Sequence, residues 1–323
     1  MPKKLTDSIV FKLDDEMRES LGKLRKDGLK KGAYCGFTSL YEHYSLKEGS
    51  TTYIVAPPYS GKSVFINEIV MNLAEFEGWK WVIFSPETGS PKDLFAELLW
   101  VKLRKPFLIN EKLNATEAEV DRAMQFIQEH FYILDPMHFE LNEKMFYKSI
   151  KDIEIENGIK INGAVIDPIT DFALDTSARQ DLVLGDFLTR VRKFSSAYNI
   201  HTIIAFHTSA MGMIAGKNIH GENVRYLPAP TMFDVAGGQM ASRKGMMILS
   251  LWRTPHDVID PVTGQPFEDH ELRVMIQKSK PKAMGKIGEV KLFYDSISSR
   301  FYEKGNDNVK YFSQPREPEQ LNI

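Results

Sequence analysis

The chain has 323 residues, of which 43% are hydrophobic and 26% charged, and this composition excludes a wholly disordered protein. Forty-one basic against 43 acidic residues give a net charge of -2, which argues against a protein that coats duplex nucleic acid over its whole surface. A single cysteine, Cys35, excludes an intramolecular disulfide and a cysteine-based zinc site. No apolar run approaches the ~20 residues of a membrane span, and the N-terminus lacks a signal-peptide core, so we expect a cytoplasmic protein.

The first 32 residues differ from the rest in their pattern. Across 7–27, apolar residues recur every three or four positions, which predicts one amphipathic helix ending near Gly28. The apolar positions are Ile9, Leu13, Met17, Leu21 and Leu24. This stripe must be buried on its own domain or on a neighbouring subunit. The charged run around Gly32 is typical of a flexible hinge and favours the neighbouring subunit.

From Gly36 onward, predicted strands and helices alternate. We predict strands at 51–55, 79–84, 131–134, 163–166 and 201–206, and helices at 64–77, 92–103, 116–130, 150–156 and 182–198. Three more strands, at 246–252, 272–277 and 289–294, follow without helices between them. This order predicts an α/β domain over 33–304, with a mainly parallel sheet flanked by helices and antiparallel strands at one edge. The polar, proline-containing tail at 305–323 is expected to be disordered.

The strongest chemical signal is the run Ala56-Pro-Pro-Tyr-Ser-Gly-Lys-Ser63, which lies between a predicted strand and a predicted helix. This is the position of a phosphate-binding loop, whose backbone N–H groups and helix N-terminus hold phosphates. Lys62 would reach the β- and γ-phosphates of ATP, and the Ser63 hydroxyl would bind Mg²⁺. Ala56 replaces the first glycine of G-x-x-x-x-G-K-[ST], which is tolerable where the backbone needs no positive φ. The predicted nucleotide-binding residues are Ala56, Pro57, Pro58, Tyr59, Ser60, Gly61, Lys62 and Ser63.

Three further polar residues end predicted core strands, at the sheet edge where ligands bind in open parallel sheets. Asp167 follows the strand at 163–166 and would hold Mg²⁺ through a water molecule. Glu87 follows the second strand and is predicted to orient the attacking water as a general base, although it could instead cap the next helix. His207 follows the strand at 201–206 and could sense the γ-phosphate through a hydrogen bond, although a histidine at a strand end is common on surfaces.

Together these residues resemble the RecA-type ATPase domain of DnaB- and Twinkle-like replicative helicases, especially their stand-alone phage and bacterial forms. The resemblance covers roughly 30–302, and Ser85-Pro-Glu87 after Gly61-Lys-Ser63 is its most specific part. It implies a hexameric ring with ATP between subunits and single-stranded DNA in the central hole. It also implies that the N-terminal helix is a linker that docks on the adjacent protomer.

The family sends a Lys-x-Arg pair from a C-terminal β-hairpin into the neighbour's ATP site. The matching run here is Lys278-Ser-Lys280, so Lys280 occupies the arginine position. Lysine carries the charge but lacks the planar fork that binds two phosphate oxygens. The finger could therefore be Arg253, which ends another predicted strand. Lys278 and Lys280 could also simply lie on the exposed face of an edge strand.

Two segments are placed to contact nucleic acid in such a ring. One is 174–181, with Arg179, and the other is the long run 209–231, with Lys217, His220 and Arg225. We expect both to be irregular loops, and a long irregular stretch inside a compact domain is usually functional. Both are only mildly basic, so a few lysine and N–H contacts to the phosphate backbone are expected, or the segments are ordinary surface loops.

The function that these observations favour is an ATP-driven ring motor that translocates on single-stranded DNA, most simply a replicative helicase. ATP and Mg²⁺ are the implied ligands. The implied partners are single-stranded DNA, further copies of the chain, and a primase or other replisome protein. The implied location is the cytoplasm of a bacterium or of a phage-infected host. Two alternatives remain, namely a nucleotide-dependent regulator similar to circadian-clock ATPases and a recombinase-like filament former.

Overall fold

The computed structural model describes residues 13–109, 114–136, 141–171, 180–235, 240–305 and 309–316. The helices are α1 (Asp15–Asp27), α2 (Thr38–His43), α3 (Lys62–Glu77), α4 (Pro91–Leu103), α5 (Glu117–His130), α6 (Glu143–Asn157), α7 (Gln180–Tyr198) and α8 (Met240–Lys244). The strands are β1 (Thr51–Ala56), β2 (Trp81–Phe84), β3 (Phe131–Ile133), β4 (Gly163–Ile166), β5 (His201–His207), β6 (Ile214–Lys217), β7 (Asn223–Tyr226), β8 (Met247–Arg253), β9 (Glu271–Ser279), β10 (Gly288–Asp295), β11 (Arg300–Lys304) and β12 (Lys310–Phe312).

Among the described residues, ten strands form one sheet in the order β3-β2-β4-β5-β1-β8-β9-β10-β11-β12. The six strands from β3 to β8 are parallel, and each later strand from β9 to β12 is antiparallel to its neighbour. A parallel sheet requires crossover helices, which the strand–helix alternation supplies up to β5. The predicted architecture, a mainly parallel sheet with antiparallel strands at one edge, is confirmed.

Helices cover both faces of the parallel part of the sheet. One core lies under α3, α4 and α5, and the other lies under α6, α7 and α8. Successive side chains of β1 point to opposite faces of the sheet. Ile54 and Ala56 pack into the first core, and Tyr53 and Val55 pack into the second. A strand that is buried on both faces needs an unbroken apolar run, which is why β1, β2, β4 and β5 were recognisable from the sequence.

The register of the parallel strands brings their carboxyl ends to one edge. Ala56 at the end of β1 lies beside His207 at the end of β5. Phe84 at the end of β2 lies beside Ile166 at the end of β4, directly before Asp167. The residues that follow these four strands therefore share one edge of the sheet, as expected for ligand-binding loops.

Two segments that were expected to be irregular contain strands. The run 209–231 contains the two-stranded hairpin β6–β7, whose strands pair antiparallel with Ile214 opposite Tyr226. The tail is not wholly irregular either, because β12 extends the sheet by pairing with β11, and Ser313 after it is buried. Long-range partners order both segments, since the hairpin packs on the loop after β8 and Ser313 accepts a hydrogen bond from Arg300 Nη2 at 2.5 Å. Residues 317–323 lie outside the described part of the chain.

The N-terminal helix α1 ends as predicted, with Gly28 at φ 70° as its C-cap, and Asp14 caps its N-terminus by accepting from Met17 N at 2.8 Å. None of its residues is buried. Its apolar stripe is open to solvent, with Met17 41%, Leu21 47% and Leu24 44% exposed. The helix therefore buries little of its stripe on its own domain. Positions 7–12 of the predicted helix lie outside the described residues.

Candidate active site

The loop after β1 is built to present backbone N–H groups at the start of α3. Gly61 is the N-cap of α3 and has φ 83°, a left-handed conformation that favours glycine. Ser60 Oγ donates to the Pro57 carbonyl at 2.7 Å and closes the turn, while Tyr59 at its tip is 97% exposed. The first N–H groups of a helix have no acceptor within the helix, so this N-terminus can receive phosphate oxygens.

Ala56 replaces the usual first glycine without strain. It is the last residue of β1, fully buried, and it is absent from the residues with positive φ. Because its backbone is that of a strand, the position does not need the conformational freedom of glycine.

Lys62, Ser63 and Asp167 form a compact polar cluster beneath the loop. Ser63 Oγ donates to Asp167 Oδ2 at 2.6 Å, and Lys62 Nζ lies 3.2 Å from Asp167 Oδ1. The Lys62 and Asp167 side chains are only 6% and 3% exposed. The ion pair lacks hydrogen-bond geometry, so within the described residues Lys62 Nζ and Asp167 Oδ1 are buried without a hydrogen-bond partner.

This cluster fits a magnesium nucleotide. The buried Lys62 ammonium group has an ion pair but no hydrogen-bond acceptor among the described residues, and phosphate oxygens would supply the missing acceptors. The Ser63 hydroxyl and the Asp167 carboxylate are oxygen ligands of the kind that Mg²⁺ prefers. Lys62, Ser63 and Asp167, predicted from separate parts of the sequence, therefore lie together as a phosphate and Mg²⁺ site requires.

Glu87 and His207 also lie together at this edge. Glu87 is in the short 3₁₀ turn Pro86–Thr88 after β2, and its Oε1 lies 2.7 Å from His207 Nε2. Glu87 does not cap the following helix, because Ser90 is the N-cap of α4 and forms a reciprocal capping box with Asp93. The Glu87 carboxylate is 44% exposed and is open to a ligand at the sheet edge.

A cavity next to the phosphate loop contains residues that the sequence did not identify. Ser60, Gly61 and Val64 form one wall. The other walls come from the end of β8, the start of β9, and β10 and β11, and the residues are Arg253, His270, Glu271, Leu272, Tyr294 and Phe301. No local sequence motif identifies Tyr294 or His270 as part of a site. The alternation of β10 does place Tyr294 on the same face as the core residue Leu292. Arg253 thus lies beside the phosphate loop of its own chain.

Lys278 and Lys280 do not join this site within one chain. In the antiparallel β8–β9 pair, Arg253 is opposite Leu272 while Met247 is opposite Ser279, so Lys278 lies towards the opposite edge of the sheet. Lys278 Nζ donates to the Ser242 carbonyl at 2.7 Å at the C-terminal end of α8. Burial, and then the neighbouring charge of Lys280, lowers the pKa of Lys278. Lys280 is exposed.

The predicted nucleic-acid contacts lie on the β6–β7 hairpin. Lys217 ends β6 and Arg225 lies within β7, and both are exposed. The hairpin is anchored to the loop after β8, since Ile219 N donates to the Asp257 carbonyl at 2.9 Å and Ile259 N donates to the Lys217 carbonyl at 2.8 Å. Arg179 lies outside the described residues.

The fold can be compared with solved structures. No model of a known protein family matches the chain. The structure of a DnaB-like replicative helicase, determined with its interactions with primase, aligns with a TM-score of 0.68 and 17% identity over 92% of this chain and 68% of that one. A second solved structure, that of an ATPase domain, aligns with a TM-score of 0.69 and 16% identity over 90% of this chain and 98% of that one. The chain therefore has the RecA-like fold of these domains.

A sequence relative supports the same resemblance. The Twinkle homolog protein, chloroplastic/mitochondrial, of Arabidopsis thaliana is 23% identical over 287 residues, which cover 86% of this chain and 37% of that protein. The chain therefore spans little more than a third of this relative. The expected resemblance to DnaB- and Twinkle-like helicases is confirmed, and the RecA-like core carries the candidate site at the expected sheet edge.

Proposed function

We propose that this chain is an ATP-hydrolysing motor that assembles as a ring and translocates on single-stranded DNA, as a replicative DNA helicase does. The observation that carries the proposal is the buried cluster of Lys62, Ser63 and Asp167, in which Lys62 Nζ and Asp167 Oδ1 have no hydrogen-bond partner among the described residues and match a phosphate and a divalent cation. Glu87 and His207 lie at the same edge of the sheet and supply the groups that hydrolysis needs. The RecA-like fold and the similarity to a Twinkle homolog support the same activity.

Each residue of the site has a distinct task in this mechanism. The N–H groups at the start of α3 and Lys62 Nζ bind the phosphate oxygens and offset the charge that develops on the γ-phosphoryl group. Mg²⁺, held by Ser63 and through Asp167, supplies further charge neutralisation when it is bound. Glu87 orients the attacking water and accepts its proton at a carboxylate oxygen.

The cavity beside the phosphate loop is suited to the nucleobase. Tyr294 and Phe301 offer aromatic surface, and the Arg253 guanidinium can lie over a base ring. Because the cavity borders Ser60 and Gly61 of the same chain, Arg253 would contact nucleotide bound to its own subunit. This placement favours Lys280 over Arg253 as the residue that acts on the neighbour's nucleotide.

Two features support a second copy of the chain as a partner. The exposed apolar stripe of α1 needs a surface to cover it, and Lys280 lies at the far edge of the sheet from its own phosphate loop. In a head-to-tail ring, the apolar stripe of α1 would be buried on the next subunit, and Lys280 would lie at the nucleotide site of that subunit. We propose a hexamer, formed through α1.

The β6–β7 hairpin is the proposed DNA contact. Lys217 and Arg225 are exposed on one small sheet that is fixed to the rest of the domain, so they can hold phosphates in a defined register. Arg179 in the other predicted loop is proposed to assist. Few cations are involved in each subunit, so the binding per subunit should be weak and should depend only modestly on salt. Primase and other replisome proteins are proposed partners, and a bacterial cell or phage-infected host is the proposed setting. Among the described residues, no helix is long and apolar enough to cross a membrane.

The test is the mass of the protein by sedimentation with a non-hydrolysable ATP analogue, with and without oligo-dT. We expect a discrete hexameric species that forms with nucleotide and binds one oligonucleotide per ring. A nucleotide-dependent change in mass that oligo-dT does not affect would favour a regulatory ATPase instead. A broad distribution that grows with the length of the oligonucleotide would indicate a filament.

A further inference from the structure

The contact between Glu87 and His207 limits what either residue can do. Glu87 Oε1 lies 2.7 Å from His207 Nε2, a distance typical of a strong hydrogen bond to a carboxylate. Among the described residues, no other side chain is hydrogen-bonded to the Glu87 carboxylate. The nearby Ser85 and Thr88 hydroxyls bond to each other at 2.9 Å. His207 therefore holds Glu87 in its position.

The other nitrogen of His207 is not available to a ligand. His207 Nδ1 is buried and, within the part of the chain that the structure describes, has no hydrogen-bond partner. A proton on Nδ1 would be a buried donor without an acceptor, which costs free energy. Nε2 is therefore the ring nitrogen that can donate at the sheet edge, and Nε2–H donates to Glu87.

Because Nδ1 is buried, His207 has a single N–H to offer at the sheet edge, and this N–H cannot donate fully to Glu87 and to a phosphate oxygen at once. We propose that His207 is a positioning residue for Glu87 and that its Nε2 proton is exchanged between the Glu87 carboxylate and the γ-phosphate. Without a γ-phosphate, His207 holds Glu87. When a triphosphate binds, Nε2–H donates to the γ-phosphate instead, and Glu87 is released to orient water. The inference rests on the proposed function.

The exchange predicts a coupling that affinity measurements can detect. ATP binding must break the His207–Glu87 contact, whereas ADP binding leaves it intact because ADP has no γ-phosphate. Breaking this contact makes the free energy of ATP binding less favourable, and Glu87→Ala removes the contact. The variant should therefore bind ATPγS about tenfold more tightly, which is the scale of one hydrogen bond to a charged group. Its affinity for ADP should not change. The measurement is the ratio of the two dissociation constants, obtained by titration calorimetry.

Loss of a negative charge near the phosphates could also tighten triphosphate binding, and a double-mutant cycle separates the two causes. In a His207→Ala background, Glu87→Ala should leave the ATPγS to ADP ratio unchanged. If the ratio changes equally in both backgrounds, charge repulsion explains it and the proposal is overturned. Glu97→Gln is the matched control, because Glu97 bonds to Asn67 at 3.0 Å and interacts electrostatically with Asp167. It should not alter the ratio.

A second variant covers the case in which His207→Ala does not fold. In His207→Gln, the amide has two N–H groups and can donate to Glu87 and to the γ-phosphate at the same time. The change that Glu87→Ala causes in the ATPγS to ADP ratio should therefore be smaller by about threefold or more. An undiminished effect in that background would overturn the proposal. An unchanged ratio for Glu87→Ala in the otherwise native chain would do the same. Failure of the native chain to bind ADP at all would instead refute the proposed function.

Discussion

Lys280 lies too far from its own phosphate loop to act on nucleotide bound there. Strand β9 runs from Leu272, opposite Arg253, to Lys278, opposite Ile248. The six residue steps between Leu272 and Lys278 span about 20 Å of extended strand. Under the proposed ring, Lys280 would therefore contact the nucleotide of a neighbouring subunit. Lys280→Ala should bind ATP but lower kcat by about 10²–10³, less than the 10³–10⁵ of arginine fingers, because a lysine makes no bidentate contact.

The assay is complementation in mixed rings. Lys280→Ala and Lys62→Ala proteins should each be inactive, but in an equimolar mixture about a quarter of the subunit contacts would join an intact loop to an intact Lys280. Turnover should then recover to at most about a quarter of the native rate, and Lys280→Arg should retain or raise activity. Lys278→Ala is the matched control, since its ammonium group already binds the end of α8, and it should affect kcat less. No recovery in the mixture would refute the assignment to a neighbouring subunit, and full activity in both alanine variants would place the group elsewhere.

Three further predictions address the base, the helix and the core. Glu87→Gln should keep nucleotide binding but reduce kcat by about 10²-fold or more, because the general base is lost, and an unchanged kcat in a steady-state assay would exclude that role. Deleting 1–30 should leave a folded, nucleotide-binding monomer by sedimentation, because no residue of α1 is buried on its own domain, whereas unfolding or aggregation would show that the helix packs there. Burial lowers the pKa of His201 from 6.5 to about 4. The unfolded state therefore takes up the proton first, and stability should fall by about 3 kcal/mol as the pH drops from about 6.5 to about 4. The free energy of unfolding, measured with urea across this pH range, should decrease less for His201→Gln than for the native chain. An equal decrease in both proteins would show that His201 is not the cause.

The parts of the fold that the sequence predicted are those with local signals. The loop 56–63 and strand β4 were located because an apolar run, a turn and a helix follow one another directly in the chain. The polar residues after β2, β4 and β5 could be brought together because parallel strands end at one edge. Asp167 and Lys62, 105 positions apart in the sequence, lie 3.2 Å apart between Nζ and Oδ1 for this reason.

The parts that could not be predicted depend on distant partners. Three residues, Lys310–Phe312, form β12 only because β11 offers an unpaired edge. The position of Arg253 beside its own loop follows from the place of β8 next to β1, which no local pattern encodes. The β6–β7 hairpin could have been predicted, because Gly221, with φ 82°, lies in a turn between two short runs of strand-forming residues.

The measurement that tests the central claim most directly is ATP turnover with and without oligo-dT, for the native chain and for Lys62→Ala. The claim predicts that oligo-dT raises the turnover of the native chain, and that Lys62→Ala is folded by circular dichroism but has no measurable turnover in either condition. Lys148→Ala, which removes an exposed lysine on α6, is the control and should match the native chain. Turnover near the native rate in Lys62→Ala, or no turnover in the native chain, would contradict an ATP-driven motor built on this site.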